Sequence, residues 1–299
     1  MPPVAVWSTY AALVAIWSST WVAIKLGLDD LPPLLGAGMR FAAAGLALLA
    51  ACVMTRRSLR TDPVLAALLA ALPFAASYGL IYWGEQYVPS GLTAVLFGCM
   101  PLYVALLSAA FLPAEQPTRR LFAGIAIALG GLVLAFGESL ALGSEERAGL
   151  AAAAVVASPL CSAIGNLSIK LRAGALDPLA LNGWAMLGGG VALLAASAPT
   201  EDWGAAEWTG QAVASVLYLA VFGTALTFVV LTLLLRELPT LALSYLPLIL
   251  PFGALLFGWA LEDERLTAPA IGGAVLVAAG LYVAQRTARP RRRVAAPAR

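Results

Sequence analysis

The sequence predicts an all-α membrane protein in which ten transmembrane helices form two inverted five-helix repeats, with both termini in the cytoplasm. Three observations predict this fold. First, 61% of the 299 residues are hydrophobic and only 11% are charged, whereas about 25% are charged in a soluble domain. Second, the chain consists mostly of apolar runs that are long enough to cross a bilayer as helices. Third, features of the first half recur in the second half at a nearly constant offset.

Ten apolar runs follow one another along the chain. Their approximate bounds are Val4–Leu28, Pro33–Met54, Val64–Trp83, Gly91–Leu112, Leu121–Phe136, Leu150–Ile169, Leu179–Ala198, Gln211–Leu235, Leu241–Leu261 and Ala268–Gln285. The runs are apolar on every side, whereas strands of membrane β-barrels alternate apolar and polar residues, so helices are predicted. The first run has no basic segment before it and nine runs after it, which argues against a cleaved signal peptide.

The charges between the runs predict the orientation of the chain. Of the 18 Lys and Arg residues, fourteen lie in the C-terminal tail or in loops that follow even-numbered runs, and three lie in the opposite loops. Cytoplasmic loops carry the excess of Lys and Arg, so the side with fourteen is expected to be cytoplasmic. The basic tail, residues 287–299, is read as a topology anchor beside anionic lipid and not as a nucleic-acid site.

The two halves of the chain share a pattern of lysine, proline and glycine. Lys25 and Lys170, the only lysines, are 145 positions apart, as are Pro33 and Pro178. Further matched residues at offsets of 149 or 150 are Pro89 and Pro239, Pro101 and Pro251, and Gly131 and Gly280. The predicted repeats are residues 1–143 and 144–286. Because each holds five spans, the second must enter the membrane upside down, and such inverted repeats are typical of transporters with a site near the bilayer midplane.

Four stretches carry a resemblance to a known family. They are WSSTWVAIKLG in the first run, Met39–Phe41 in the second, Glu85–Leu96, and Leu261–Val283 with its acidic turn and Gly-rich span. In these stretches the chain resembles the EamA family of the drug/metabolite transporter superfamily, over nearly its whole length. The resemblance implies a carrier for small organic solutes, often an exporter of amino acids or metabolites, in a bacterial inner membrane. The aromatic residues of the spans resemble those of the family's aromatic amino-acid exporters.

Aromatic residues of the first half are the leading candidates to line a substrate site. Trp17 and Trp21 share one face of span 1, and Tyr78 and Tyr82 share one face of span 3. Trp17 and Tyr78 are about 20 Å into their spans, too deep for the interfacial position that Trp and Tyr usually take. Phe97 of span 4 joins the candidates. The alternative is helix packing.

The second half supplies candidates for which packing between helices is the default. They are Asn166, Trp184, Phe228 and Ser244. Asn166 stands out because its amide has four hydrogen-bonding positions to satisfy. Proline breaks a helix and frees a carbonyl, so three prolines within spans are read either as hinges of the transport cycle or as kinks, namely Pro101, Pro159 and Pro251.

Two charged residues are candidates for coupling or for contact with a substrate carboxylate. Arg40 is about 10 Å into span 2, where an arginine is costly unless it is paired or hydrated, so it either meets the substrate or bonds neighbouring helix carbonyls. Glu85 is the deepest acid, at the outer end of span 3. Since Glu85 lies so near the end of its span and the chain has no histidine, a facilitative carrier is predicted, and proton exchange through Glu85 is the alternative.

Several function classes are not expected. Without histidine, ordinary zinc sites and histidine-based catalysis are excluded, and the three cysteines lie within spans without a CxxC pair. No phosphate-binding glycine motif is present, so ATP is not expected to power the protein. No metal, cofactor or nucleic acid is expected, and a monomer in the bilayer is the default. A membrane-embedded enzyme and a non-transporting scaffold are the remaining alternatives.

Overall fold

α-Helices dominate the computed structural model, which describes residues 3–87, 93, 96–112, 117–136, 147–243, 245–250, 252–253 and 268–285. No β-strand occurs in these ranges. The helices are α1 (Pro3–Leu28), α2 (Pro33–Met54), α3 (Pro63–Gly84), α4 (Met100–Phe111), α5 (Arg119–Phe136), α6 (Ala148–Arg172), α7 (Pro178–Thr200), α8 (Gly210–Glu237), α9 (Thr240–Leu243) and α10 (Ala268–Gln285).

Each of the ten apolar runs contains a described helix. Five helices, α2, α3, α6, α7 and α8, are long and apolar enough to cross a membrane. This confirms the all-helical, multi-pass class that the composition predicts. The fourth run differs from the prediction of one continuous helix, because a turn at Gly98 and Cys99 precedes α4.

Proline and aspartate set the start of three long helices. Pro33, Pro63 and Pro178 each stand at the first position of a helix, where the missing N–H costs no hydrogen bond. Asp62 accepts hydrogen bonds from the N–H groups of Val64 (2.9 Å) and Leu65 (3.1 Å). Asp177 accepts from one N–H group of α7, that of Leu179 (2.9 Å). These caps satisfy N–H groups that have no partner inside the helix.

Two of the long helices contain a wider, π-helical segment. In α3 it runs over Ala70–Ser77, around Pro73, and in α8 over Val221–Leu226. A π-helical turn inserts a residue and redirects the hydrogen bonds of the backbone, and it is frequent at functional sites. Pro73 of the first segment lines the cavity described below, and Gly223 and Thr224 of the second bond Arg40, which lines it.

Glycines bring α2 against α7, and α5 against α10, at backbone distance. A Cβ atom added at Gly45 would lie 2.5 Å from the nitrogen of Leu187 and 2.8 Å from the oxygen of Gly183. One added at Gly124 would lie 2.5 Å from the oxygen of Gly280. These two helix pairs have the most extensive contacts between the described elements. Small residues allow such close approach in membrane helices, where dispersion replaces the hydrophobic effect.

Candidate functional site

A cavity lies between α1, α2, α3, α4, α6, α8 and residues 243–250. Its walls are mostly apolar and aromatic, and its volume is about 80 Å³. On the same measure, about 10–15 Å³ is enough to hold one water molecule. Of the residues predicted from the sequence, the cavity is lined by Trp17, Arg40, Tyr78, Phe97, Asn166 and Phe228. An apolar cavity with a few convergent polar groups is the usual form of a small-molecule site.

Trp17 is fixed in the wall by α8. Its indole N–H lies 3.0 Å from the hydroxyl of Thr227 and 3.2 Å from the carbonyl oxygen of Gly223. Its ring meets that of Phe228 edge to face, with centroids 5.5 Å apart. A buried indole needs a partner for its N–H, and α8 supplies both that partner and the ring contact. The orientation of Trp17 is therefore set by the helix opposite, 206 or more positions away in sequence.

Four aromatic rings form one cluster behind and beside Trp17. Phe41 lies 4.7 Å from Tyr78 and 5.4 Å from Phe74, and Phe228 lies 5.0 Å from Phe74, all between centroids. The angles between the rings are steep, and such edge-to-face pairs contribute about 0.5–1.5 kcal/mol each beyond area burial. Tyr78 and Phe228 line the cavity, whereas Phe41 and Phe74 are fully buried. The inner pair therefore supports the rings that face the cavity.

Arg40 is 1% exposed and binds three neutral groups. Its Nε donates to the hydroxyl of Thr224 (2.6 Å), Nη1 to the hydroxyl of Tyr82 (3.2 Å) and Nη2 to the oxygen of Gly223 (3.3 Å). The guanidinium carbon also lies 5.2 Å from the ring centre of Phe41 and 5.1 Å from that of Tyr78. Among the residues that the structure describes, Arg40 has no ion pair with a carboxylate.

The Gly223 carbonyl shows what the π-helical segment of α8 contributes. Its oxygen accepts from both Trp17 and Arg40, and Thr224, the next residue, is the partner of Arg40 Nε. In a regular α-helix these carbonyls would be engaged by the N–H four residues on. The sequence has no local signal for a π-helical turn, so the contact of Thr224 with Arg40 could not be predicted from it.

Tyr82 and Glu85 lie at the end of α3, beside the main cavity. Tyr82 is 3% exposed and borders a smaller cavity near Leu31 and Ser215. Glu85 follows the last residue of α3 and is partly buried. Its Oε1 is enclosed and accepts no hydrogen bond from the residues that the structure describes. The structure thus brings Tyr82 to Arg40, and it leaves Glu85 without a direct contact to either.

Polar side chains of α6 reach the cavity on the side opposite Trp17. Asn166 lines it and forms no hydrogen bond with a described residue. Ser162 lines it as well, and its hydroxyl lies 2.9 Å from that of Ser77 on α3. The amide of Asn166 is therefore open to a ligand or to water, whereas Ser162 is engaged in the contact between the two helices.

Other predicted site residues lie elsewhere. The indole of Trp184 is 43% exposed, donates to the oxygen of Leu59 (3.0 Å) and does not line the cavity. Pro101 does not interrupt a helix, because it stands in the first turn of α4, where proline is tolerated. Pro159 does lie inside α6. Ser244 and Pro251 lie outside the described residues, and so does the side chain of Trp21.

The break at Pro159 is compensated locally. Proline lacks the N–H that would bond the carbonyl four residues earlier, at Val155. The hydroxyl of Ser158 donates to that oxygen at 2.8 Å, and the next carbonyl, Val156, accepts from Tyr103 at 3.0 Å. The freed backbone is therefore satisfied by neighbouring hydroxyls, as is common in membrane helices.

Within the described ranges, no group of three His, Cys, Asp or Glu side chains is placed to hold a metal ion. The arrangement of the cavity is suited to binding a solute. It can enclose a small solute between aromatic rings, one buried cation and one open amide.

Comparison with known proteins places the chain among membrane transporters. It is 31% identical over 275 residues to the uncharacterized transporter YoaV of Bacillus subtilis, covering 91% of this chain and 94% of the relative. It is 33% identical over 264 residues to the uncharacterized inner membrane transporter YedA of Escherichia coli, covering 86% and 82%. It is 29% identical over 299 residues to a probable terminal-alkyne amino-acid exporter of Streptantibioticus cattleyicolor, covering 99% and 98%.

The fold itself has a solved counterpart. One crystal structure superposes with a TM-score of 0.80 at 17% identity, covering 95% of this chain and 99% of its own. At that identity the likeness shows the shared fold alone. The members of the matched family and the named relatives are transporters and not enzymes. Since the EamA-like transporter family matches residues 6–137 and 149–285, the chain belongs to that family.

Proposed function

We propose that this protein carries small organic solutes, amino acids and aromatic ones among them, by alternating access around the cavity. The observation that carries the proposal is the composition of the cavity wall. Trp17, Arg40 and Tyr78 come from the first half of the chain, and Asn166 and Phe228 from the second. A site built by both halves can open to either side of the membrane when helices of the two halves rearrange around it.

The proposed architecture is ten spans in two inverted repeats, residues 1–143 and 144–286, with a cytoplasmic tail at 287–299. Reciprocal glycine contacts support it. Gly45 approaches the oxygen of Gly183, and Gly190 approaches the oxygen of Gly38. An offset of 145, the one that separates the two lysines, carries Gly38 to Gly183 and Gly45 to Gly190. A two-fold relation between the halves would produce this exchange, and the family matches each half separately.

Amino acids are favoured as substrates by the lining and by one relative. Aromatic rings accept apolar and aromatic side chains, and the relative from Streptantibioticus cattleyicolor is named as a probable amino-acid exporter. Substrate contacts are assigned to Trp17, Tyr78, Phe97, Asn166 and Phe228. Both termini are placed in the cytoplasm of a bacterium, the ten spans in its inner membrane, and the working unit is a monomer that uses neither ATP nor nucleic acid.

The proposed carrier is facilitative, and proton exchange through Glu85 is the second candidate. Proton-coupled carriers hold a titrating group that is exposed to the two sides in turn. Glu85 lies beyond the last residue of α3 and does not line the cavity. Its enclosed Oε1 is the observation that favours the alternative, because an acid without hydrogen-bond partners is poorly held in its charged form.

Reconstituted liposomes test the proposal. Purified protein is expected to equilibrate radiolabelled phenylalanine and other apolar amino acids, at a rate that an imposed pH gradient and the Glu85→Gln substitution leave unchanged. A pH-sensitive dye inside the liposomes reports proton movement. Solute-dependent proton flux that is lost in Glu85→Gln would establish proton exchange instead. Failure of every amino acid in the panel to move faster than in protein-free liposomes would refute amino-acid transport.

A further inference from the structure

We propose that Arg40 is the group that recognises the substrate, through a carboxylate that pairs with its guanidinium inside the cavity. The inference rests on the proposed transport function and names the chemical class that the site selects. It predicts that solutes are carried because they bear a carboxylate, whether or not they also bear an ammonium group.

Arg40 is held in place by neutral groups and keeps donors to spare. A guanidinium has five N–H groups. Three are engaged, with Thr224, Tyr82 and Gly223. One N–H on Nη1 and one on Nη2 have no partner among the described residues. A carboxylate accepts two N–H groups in a bidentate contact, so these two are sufficient. The engaged donors fix the plane of the fork, so little freedom is lost when a ligand binds.

The charge of Arg40 is buried without an opposite charge beside it. A buried cation is strongly disfavoured unless it is paired, and the partners of Arg40 are two hydroxyls, one carbonyl and two ring faces. Glu85 is close enough to Arg40 for an electrostatic interaction, but the two form no ion pair. An anion that enters the cavity would therefore find a desolvated cation that is already oriented.

The size of the charge selects a carboxylate over a phosphate. Among the described residues that line the cavity, Arg40 is the only cation and there is no acid. A carboxylate carries one negative charge and matches it. A phosphate ester carries close to two negative charges at neutral pH, and its second charge would be buried among apolar residues without compensation. A monocarboxylate therefore neutralises Arg40 without adding a second negative charge, and the ammonium group of an amino acid is left to the amide of Asn166 or to water.

The rest of the cavity fits the remainder of an amino acid. The rings of Trp17 and Phe228 offer an apolar surface, and Asn166 has an amide oxygen that can accept from an ammonium group. These contacts are weaker than a desolvated ion pair. The ammonium group is therefore expected to refine binding, whereas the carboxylate decides it.

Binding by three matched probes tests the inference without any need for transport. The probes are L-phenylalanine, L-phenylalaninamide, which lacks the negative charge, and 3-phenylpropionate, which lacks the ammonium group. Titration calorimetry on purified protein in detergent should show that the amide binds at least tenfold more weakly than the acid, and that 3-phenylpropionate keeps most of the affinity. The tenfold figure follows from the strength of a hydrogen-bonded charge pair relative to neutral bonds.

Two arginine variants supply the matched comparison. Arg40→Gln should bind the acid and the amide alike. Arg147→Gln should behave as wild type, since Arg147 also donates to a tyrosine hydroxyl (Tyr87, 3.1 Å) and stacks on its ring but lies outside the cavity. If Arg40→Gln does not fold, the three probes on the wild-type protein still decide the matter.

The outcomes separate this inference from the proposed function. Equal binding of acid and amide by the wild type, or no binding by either carboxylate probe, would overturn the role of Arg40. Arg40-dependent binding of the acid without movement of any solute in liposomes would uphold the inference and refute the carrier. Transport of amide and acid at equal rates would uphold the carrier and refute the inference.

Discussion

A close backbone contact between α2 and α7 gives a sharp test of the fold. Replacing Gly45 by alanine places a methyl group 2.5 Å from the nitrogen and 2.9 Å from the Cα of Leu187. Both atoms belong to the backbone of α7, so no side-chain rotation can relieve the contact. We expect Gly45→Ala to destabilise the protein by separating α2 from α7.

A matched glycine sets the magnitude. At Gly130, on the exposed face of α5, an added methyl group meets nothing within 4 Å. Alanine is favoured over glycine within a helix by about 0.8–1.0 kcal/mol, and this gain is common to both variants and cancels in the comparison. Overpacking of a filled interior costs about 1–3 kcal/mol. Gly45→Ala should therefore be less stable than Gly130→Ala by about 1–3 kcal/mol.

Unfolding in one detergent provides the assay. Stability is measured by thermal or denaturant titration of purified variants in the same micelles. Gly190→Ala should lose as much as Gly45→Ala, because its methyl group would meet the Ala42 nitrogen and the Gly38 oxygen in the reciprocal contact. If Gly45→Ala were as stable as Gly130→Ala, the backbone approach of α2 and α7 would be refuted.

Three other expectations concern topology, the cavity and a helix cap. In a cysteine-free background, a cysteine at Arg119 should react only from the cytoplasm and one at Asp202 only from outside, and the opposite result would reverse the orientation. Trp17→Phe keeps an aromatic ring but loses the indole N–H and its hydrogen bonds. The loss of about 1 kcal/mol should slow phenylalanine uptake about fivefold, and an unchanged rate would remove Trp17 from the site. The pKa of the Asp62 carboxyl lies below its usual range, first because it accepts the Leu65 N–H. The stability that Asp62 adds over Asp62→Ala should therefore be present at neutral pH and vanish as pH falls below about 4, which thermal unfolding across pH will check.

Local signals in the sequence predicted the helices well. The runs predicted to begin at Pro33, Val64 and Leu179 start within one residue of the helices, because a cap and a fixed φ act within one turn. The helix start beside Pro101 was not predicted, because Pro101 was placed inside one continuous span. A proline inside an apolar run can break a helix or begin one. The turn before α4 places Pro101 at the beginning of a helix.

Contacts across the cavity could not be predicted from periodicity. The spacing of Trp17 and Tyr78 placed each on one face of its helix, but it carried no information on which helix lies opposite. Arg40 meets Thr224 over a separation of 184 residues, through a π-helical turn that has no sequence signature. Trp184 fitted the same aromatic pattern, yet its helix turns it toward Leu59. Pairing between helices is set by the whole packing, and no local pattern encodes it.

The contacts of α2 and α7 restrict how the carrier can move. At one end of the pair, Glu201 accepts from the N–H groups of Leu34 (2.7 Å) and Leu35 (2.9 Å), which caps α2 from the end of α7. At the other end, Arg57 and Asp177 form an ion pair of 3.1 Å. That exposed pair contributes little, but the cap and the glycine packing hold the helices along their length.

In the proposed transport cycle, a fixed α2 would keep Arg40 in place while the helices that supply its partners move. Those partners come from α3 and α8, the two helices with π-helical segments. Such segments offer alternative backbone hydrogen bonds within an otherwise continuous helix, so α3 and α8 can bend at a smaller cost than their neighbours. When they bend, the hydroxyls of Thr224 and Tyr82 are expected to move away from Arg40, while a carboxylate bound to its two spare N–H groups keeps its contact. The ligand would thereby stabilise the conformations in which Arg40 is least satisfied by the protein, which is the differential affinity that coupling binding to movement requires.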